Sequence, residues 1–219
     1  ITPENDGAIE LVSDILSEAD FSCHEIVEGD VKNLFARWGD KASKKVLGFN
    51  GHLDVVPPGN IKEWSINPFK PTVKNNRLIG RGANDMKASI ACFVAAVSKF
   101  KNKNKNFKGS ISLLITGDEE GIAINGTKRV VKYLKKKKEK INFCIVGEPT
   151  NPNKLGEMIK IGRRGSLTGR LTIIGSQGHV AYPHRANNPS NKLIKILKRI
   201  IDLKLDRATK NFQPSNLEV

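Results

Sequence analysis

Apolar residues recur along this chain with two different spacings, and the change from one to the other marks out its elements. Ile9, Val12, Ile15, Leu16 and Ala19 fall three or four residues apart up to about Asp20, the spacing that lines one face of a helix. Ahead of them, Thr2-Pro3-Glu4 has the chemistry of a helix start: a capping hydroxyl, a proline for the first helical position and an early acid. Three short runs, Lys45 to Asn50, Ser110 to Thr116 and Ile141 to Val146, are largely apolar and each is followed by glycine, which predicts buried strands. Phe21 to Val27 and Asn33 to Trp38 predict a strand pair. From Met86 to about Phe100 the pattern is helical but apolar nearly all round (Ala88, Ile90, Ala91, Val94, Ala95, Val97), which predicts a helix packed on both sides. Asn125 is placed to cap a further helix carrying Val130, Val131 and Leu134.

Strands that alternate with helices at this spacing predict an α/β fold, a mostly parallel sheet flanked by helices. Near Gly162 the texture changes: Ser166 to Ile174 alternates like a half-exposed strand, and Pro189 to Leu203 is an amphipathic helix capped by Asn188. Residues 1–162 are therefore expected to form one domain, and 163–219 to begin a smaller α+β domain. One strand and one helix cannot close a core, so that second domain reads as truncated.

Chemistry gathers where the buried runs stop. His52 and Asp54 follow the first run, Asp118, Glu119 and Glu120 the second, and Glu148 the third. Asp85 ends the glycine-broken stretch from Leu78, just before the apolar helix. Open α/β sheets place their ligand sites at the carboxyl ends of their strands. Taken singly, Gly117-Asp118-Glu119-Glu120-Gly121 reads equally well as a solvated acidic turn. Three strands ending alike favour a common site, because clustered carboxylates resist desolvation unless a cation or a proton compensates. One imidazole with several carboxylates and no thiolate suits zinc, manganese or cobalt. So many acids exceed what one open tetrahedral site needs and suit two metals about 3.5–4 Å apart.

Composition changes this picture little. The net charge of +15 and pI near 9.8 invite a nucleic-acid partner, but the excess is mostly lysine, and aromatic residues, at 6%, do not interleave with it. The charge reads as a solvated face whose field also favours a small anionic substrate. Cys23, Cys92 and Cys144 are odd in number and widely spaced, which indicates structural thiols and a reducing, cytoplasmic location, with Cys92 and Cys144 buried. No apolar stretch is long enough to span a bilayer and no signal-peptide pattern opens the chain, although Ile1 in place of methionine suggests a few missing residues.

The segments Gly51-His52-Leu53-Asp54-Val55-Val56-Pro57, Gly80-Arg81-Gly82-Ala83-Asn84-Asp85-Met86-Lys87, Asp118-Glu119-Glu120-Gly121 and Gly147-Glu148-Pro149 resemble the dinuclear zinc aminoacylase/carboxypeptidase family. Asn125-Gly126-Thr127, Lys160 to Ser166 and Gln177 to His184 carry a narrower resemblance, to members that release succinate from an N-succinyl diamino acid. The resemblance runs through essentially the whole chain. It implies a metal-dependent amide hydrolase with two zinc ions (cobalt or manganese as substitutes), in which His52 and Glu148 hold one metal, Glu120 the other, and Asp85 bridges them. Glu119 would be the general base, and Asp54 would orient the His52 ring through its free nitrogen. In the second, dimerisation (lid) domain, His179 would donate to the developing oxyanion across a homodimer interface, and Arg163 would grip a substrate carboxylate. The Asp85–Met86 peptide is expected to be cis. Members of the family continue well past the position of Val219 and return to the first domain with the last histidine ligand. Neither His24 nor His184 matches that ligand's context, so the chain reads as an N-terminal fragment, inactive alone. Other N-acyl amino-acid deacylation, or a basic binding module that keeps the fold without activity, remain the alternatives.

Overall fold

The run Ser110–Thr116 is the strand on which the rest is built, and all seven of its positions are buried. The computed structural model describes all 219 residues, Ile1–Val219, and divides into two compact units, Ile1–Glu157 and Met158–Val219. In the first unit the order is α1 (Ala8–Glu18), β1 (Ser22–Glu28), β2 (Val31–Gly39), β3 (Val46–His52), β4 (Thr72–Lys74), β5 (Arg77–Ile79), α2 (Ala88–Lys103), β6 (Ser110–Thr116), α3 (Thr127–Lys137) and β7 (Phe143–Val146). The second holds α4 (Pro189–Ile201).

Five strands form one sheet in the order β1-β2-β6-β3-β7, and β4 and β5 make a separate two-stranded ribbon. The main sheet is mixed. β3 runs parallel to both β6 and β7, whereas β1 and β2 are an antiparallel hairpin laid against β6. A two-residue loop closes that hairpin, with Gly29 at φ +59°, a conformation that glycine adopts at little steric cost. The parallel half puts the ends of β3, β6 and β7 at one edge, because parallel neighbours finish on the same side. Leu34, Leu113, Ile115, Ile9 and Leu16 pack into one core between the sheet, α1 and α2. Each such side chain contributes roughly 1.5–3 kcal/mol by leaving water. On the other face Phe35 and Leu114 meet Val130 and Leu134 of α3.

Five sequence expectations change here. Helix α1 starts at Ala8 behind Gly7, not at Thr2, because the Thr2 hydroxyl is donated to Asp54 and Asn5 Oδ1 accepts the Ile9 amide instead (3.0 Å). Helix α3 is preceded by Gly126, with Asn125 one residue further out. Helix α2 is packed on one side only: Ile90 and Val97 are buried, while Ala91, Cys92, Ala95 and Ala96 are exposed. Cys144 is exposed for a related reason, since β7 is an edge strand whose four positions all face solvent. In the second unit Ser166 to Ile174 forms no strand despite its alternation, because no neighbouring strand offers it a ladder. Asn188 does cap α4, accepting from the Ser190 amide at 2.9 Å.

Candidate metal centre

Small residues at the strand ends make room for the site. A Cβ on Gly51 would lie 2.7 Å from Met86 Cε, and one on Gly147 would lie 2.8 Å from the same atom. The two glycines let the fully buried Met86 slide beneath β3 and β7, which brings its neighbour Asp85 up beside His52. The Asp85–Met86 peptide is cis. The strand ends are tied together by Leu53 N–H donating to Thr116 O (2.9 Å) and Gly147 N–H donating to Asn50 O (3.0 Å).

His52, 1% exposed, lies at the centre. Its Nδ1 is 2.9 Å from the backbone carbonyl of Asp54, which can only accept, so Nδ1 carries the proton. Nε2 then points its lone pair at Asp85 Oδ1 (3.1 Å) and Glu148 Oε1 (3.6 Å). An acceptor facing two acceptors is held only by a proton or a cation between them. Ligand atoms of His52, Glu119 and Glu148 lie within 4.8 Å of one another, as do those of His52, Asp85 and Glu120. The charge balance points the same way. Burial disfavours a charged His52, but the Asp54 carbonyl and the carboxylates of Asp54, Glu148 and Glu119 outweigh it and raise its pKa above the usual histidine value. Burial first, then the charges of Asp85 and Glu119, raise the Glu120 carboxyl above the usual range. Both shifts favour added positive charge among these groups, which a divalent cation would supply, so the donor set fits divalent metal ions.

Asp54 meets the His52 ring through its main chain and uses its side chain elsewhere. The His52 nitrogen is taken by its carbonyl, and its nearer carboxylate oxygen lies 3.6 Å away. That carboxylate instead accepts the amides of Glu119 (3.0 Å) and Glu120 (2.9 Å) and the Thr2 hydroxyl (2.6 Å). Asp54 therefore fixes the acidic turn, and His52 through its main chain. Thr2 was invisible as a site residue because Thr-Pro reads as a helix start. Asn33, fully buried, was missed likewise: it donates to the Asn125 carbonyl (2.9 Å), a contact between residues far apart in sequence.

His179 and Arg163 belong to the second unit. The His179 ring accepts the Ala181 amide at 3.1 Å and lies beside Tyr182. Arg163, with Lys160, Arg164, Arg207, Asp206 and Phe212, lines an open cleft of about 900 Å³. His184 lies edge-on to Tyr182, and His24, in the first unit, stacks on Phe35.

A mixed α/β sheet with one histidine and four carboxylates gathered at one edge defines a candidate divalent-metal centre. Residues 48–215 match the family described as peptidase family M20/M25/M40, and the chain belongs to that family. It is 62% identical, over its whole length, to a succinyl-diaminopimelate desuccinylase of Pelagibacter ubique and 48% identical to that of Roseobacter denitrificans. It spans 58% and 57% of the length of those two relatives. Among solved structures, an M20 family metallo-carboxypeptidase from Sulfolobus solfataricus aligns with 94% of this chain and 49% of its own, at TM-score 0.65 and 21% identity. Human carnosine dipeptidase 1 aligns with 63% of this chain and 31% of its own, at TM-score 0.55 and 23% identity. Both likenesses concern the fold.

Proposed function

We propose that the protein carrying this chain is a metal-dependent amide hydrolase that cleaves N-succinyl-LL-2,6-diaminopimelate into succinate and LL-2,6-diaminopimelate, a step toward diaminopimelate and lysine. The observation that carries this reading is the convergence of His52, Asp85, Glu119, Glu120 and Glu148 on one centre. The likeness to desuccinylases over the whole chain supports the choice of acyl group.

His52 and Glu148 would hold one zinc, Glu120 the other, with Asp85 between them. Bound there, the metal pair would polarise the scissile carbonyl and make the attacking water more acidic. Glu119 would take a proton from that water as its oxygen bonds to the succinyl carbon, and return it to the nitrogen as the C–N bond breaks. Asp54 accepts the amides of Glu119 and Glu120 and so fixes the backbone from which those neighbouring carboxylates extend. Arg163 would grip a substrate carboxylate with a two-pronged guanidinium, and His179 would donate to the oxyanion from the partner of a homodimer.

The test is succinate release by the complete protein, with and without metal, beside N-acetylornithine as the competing substrate. Metal-dependent release of succinate, with the acetyl substrate at least 10-fold slower, is expected. Faster turnover of the acetyl substrate, or no hydrolysis of either with metal bound, would overturn the assignment.

A further inference from the structure

Asp118 sits between the buried strand β6 and the two glutamates, yet its side chain joins neither group of possible ligands. It is 4% exposed and turned the other way along the chain. Oδ1 accepts the amide of Ala123 (3.1 Å), and Oδ2 accepts those of Ile124 (3.1 Å) and Asn125 (2.9 Å). Its own amide is donated to Thr116 Oγ1 at 3.2 Å. The loop closes tightly on this residue: a Cβ on Gly121 would come within 2.7 Å of Asp118 Oδ1, and one on Gly126 would collide with the Asp118 carbonyl. The far end of the loop is pinned by Asn33, which donates to the Asn125 carbonyl.

Glu119 and Glu120 are thus the first two residues of a loop gripped at both ends by buried carboxylates. Asp54 holds their amides, and Asp118 holds the three amides that bring the chain back. We propose that Asp118 is a positioning residue for the metal centre, setting the direction of Glu119 and Glu120 through the loop it closes. The inference rests on the metal-site reading above, but not on the identity of the substrate.

Asparagine is close in shape but cannot do this. Its amide offers one acceptor oxygen, and its NH2 would face an N–H donor, so either orientation loses the Ala123 bond or those of Ile124 and Asn125. A carboxylate meeting three donors loses none.

The test compares Asp118→Asn with Arg37→Met in the complete protein. Arg37 pairs with Glu139 and bonds Ser110 and the Asp40 carbonyl at the opposite end of β6, so its loss weakens the same sheet away from the site. Zinc affinity is read by chelator competition, together with kcat, KM and Tm. Asp118→Asn is expected to weaken zinc binding about 10–100-fold, as loss of a ligand-supporting partner does, and to lower kcat with KM little changed. Arg37→Met should lower Tm and leave zinc affinity unchanged. If Asp118→Asn lowers only Tm, the residue is merely structural and the proposal fails. If it does not fold, amide exchange in the metal-free wild type decides: Ala123, Ile124 and Asn125 should be protected as strongly as β6, and free exchange at all three would overturn the inference. A protein that binds zinc but releases no succinate would fail the proposed substrate while leaving this test intact.

Discussion

Two neighbouring glutamates can do unlike work only if something turns them apart. The Asp54 carboxylate fixes the backbone of both by accepting their amides, and their carboxylates fall in different groups of possible ligands, Glu119 with Glu148 and Glu120 with Asp85. Glu119→Gln is expected to keep its metal and lose about 10²–10⁴-fold in kcat, the usual share of a general base. Glu120→Gln should lose metal, as measured by metal content after dialysis. Near-normal turnover in Glu119→Gln would contradict the division of labour. Gly51 makes a second residue-scale case. An added methyl would press the fully buried Met86 Cε (2.7 Å), Ile90 Cγ1 (3.1 Å) and Phe49 Cε1 (3.2 Å). Gly51→Ala should cost about 1–3 kcal/mol by denaturant unfolding, as overpacking does, and should weaken metal binding by displacing Asp85. An unchanged unfolding midpoint with full metal affinity would show that the glycine is incidental.

At the scale of elements, the strand ends were legible because each is a short apolar run closed by glycine, with His52, Glu119, Glu120 and Glu148 close behind, while Asp85 ends the glycine-broken stretch before α2. What the pattern could not reveal was where hydrogen bonds cross the chain. Thr2 looked like a cap and serves Asp54, and Asp118 looked like one acid among three and closes a loop. Nor does periodicity report what lies outside an element, so α2 and β7 looked doubly packed when each has an open side. The same logic makes β6 the element most sensitive to truncation. Leu113→Ala, at a fully buried position, should cost about 2–5 kcal/mol in unfolding free energy. A loss below about 1 kcal/mol would mean the core closes over the gap. Where α1 meets β2 the expected effect is electrostatic and smaller. Lys32, followed by a backbone hydrogen bond and Asn5, holds the Glu10 carboxyl down at about 2, against an ordinary 4.5. A lowered folded-state pKa stabilises above the ordinary value and loses that effect as pH falls toward the folded one. The Tm difference between wild type and Glu10→Gln should therefore shrink from pH 5 to pH 2, modestly, since both side chains are solvated and salt screens them. A constant difference over that range would remove the ion pair from the account.

For the molecule as a whole, the two units divide the proposed work. The first carries all five carboxylates of the site, Asp54 included, with the imidazole, in a chain whose net charge is +15. The second carries Arg163, His179 and the cationic cleft, groups suited to an anionic substrate. The account depends most on the metal centre in the first unit. The most direct measurement is anomalous diffraction at the zinc absorption edge from crystals of the complete protein soaked in zinc. The account predicts peaks about 2.0–2.2 Å from His52 Nε2 and from carboxylate oxygens of Asp85, Glu120 and Glu148. Zinc bound elsewhere, or none within reach of His52, would contradict it.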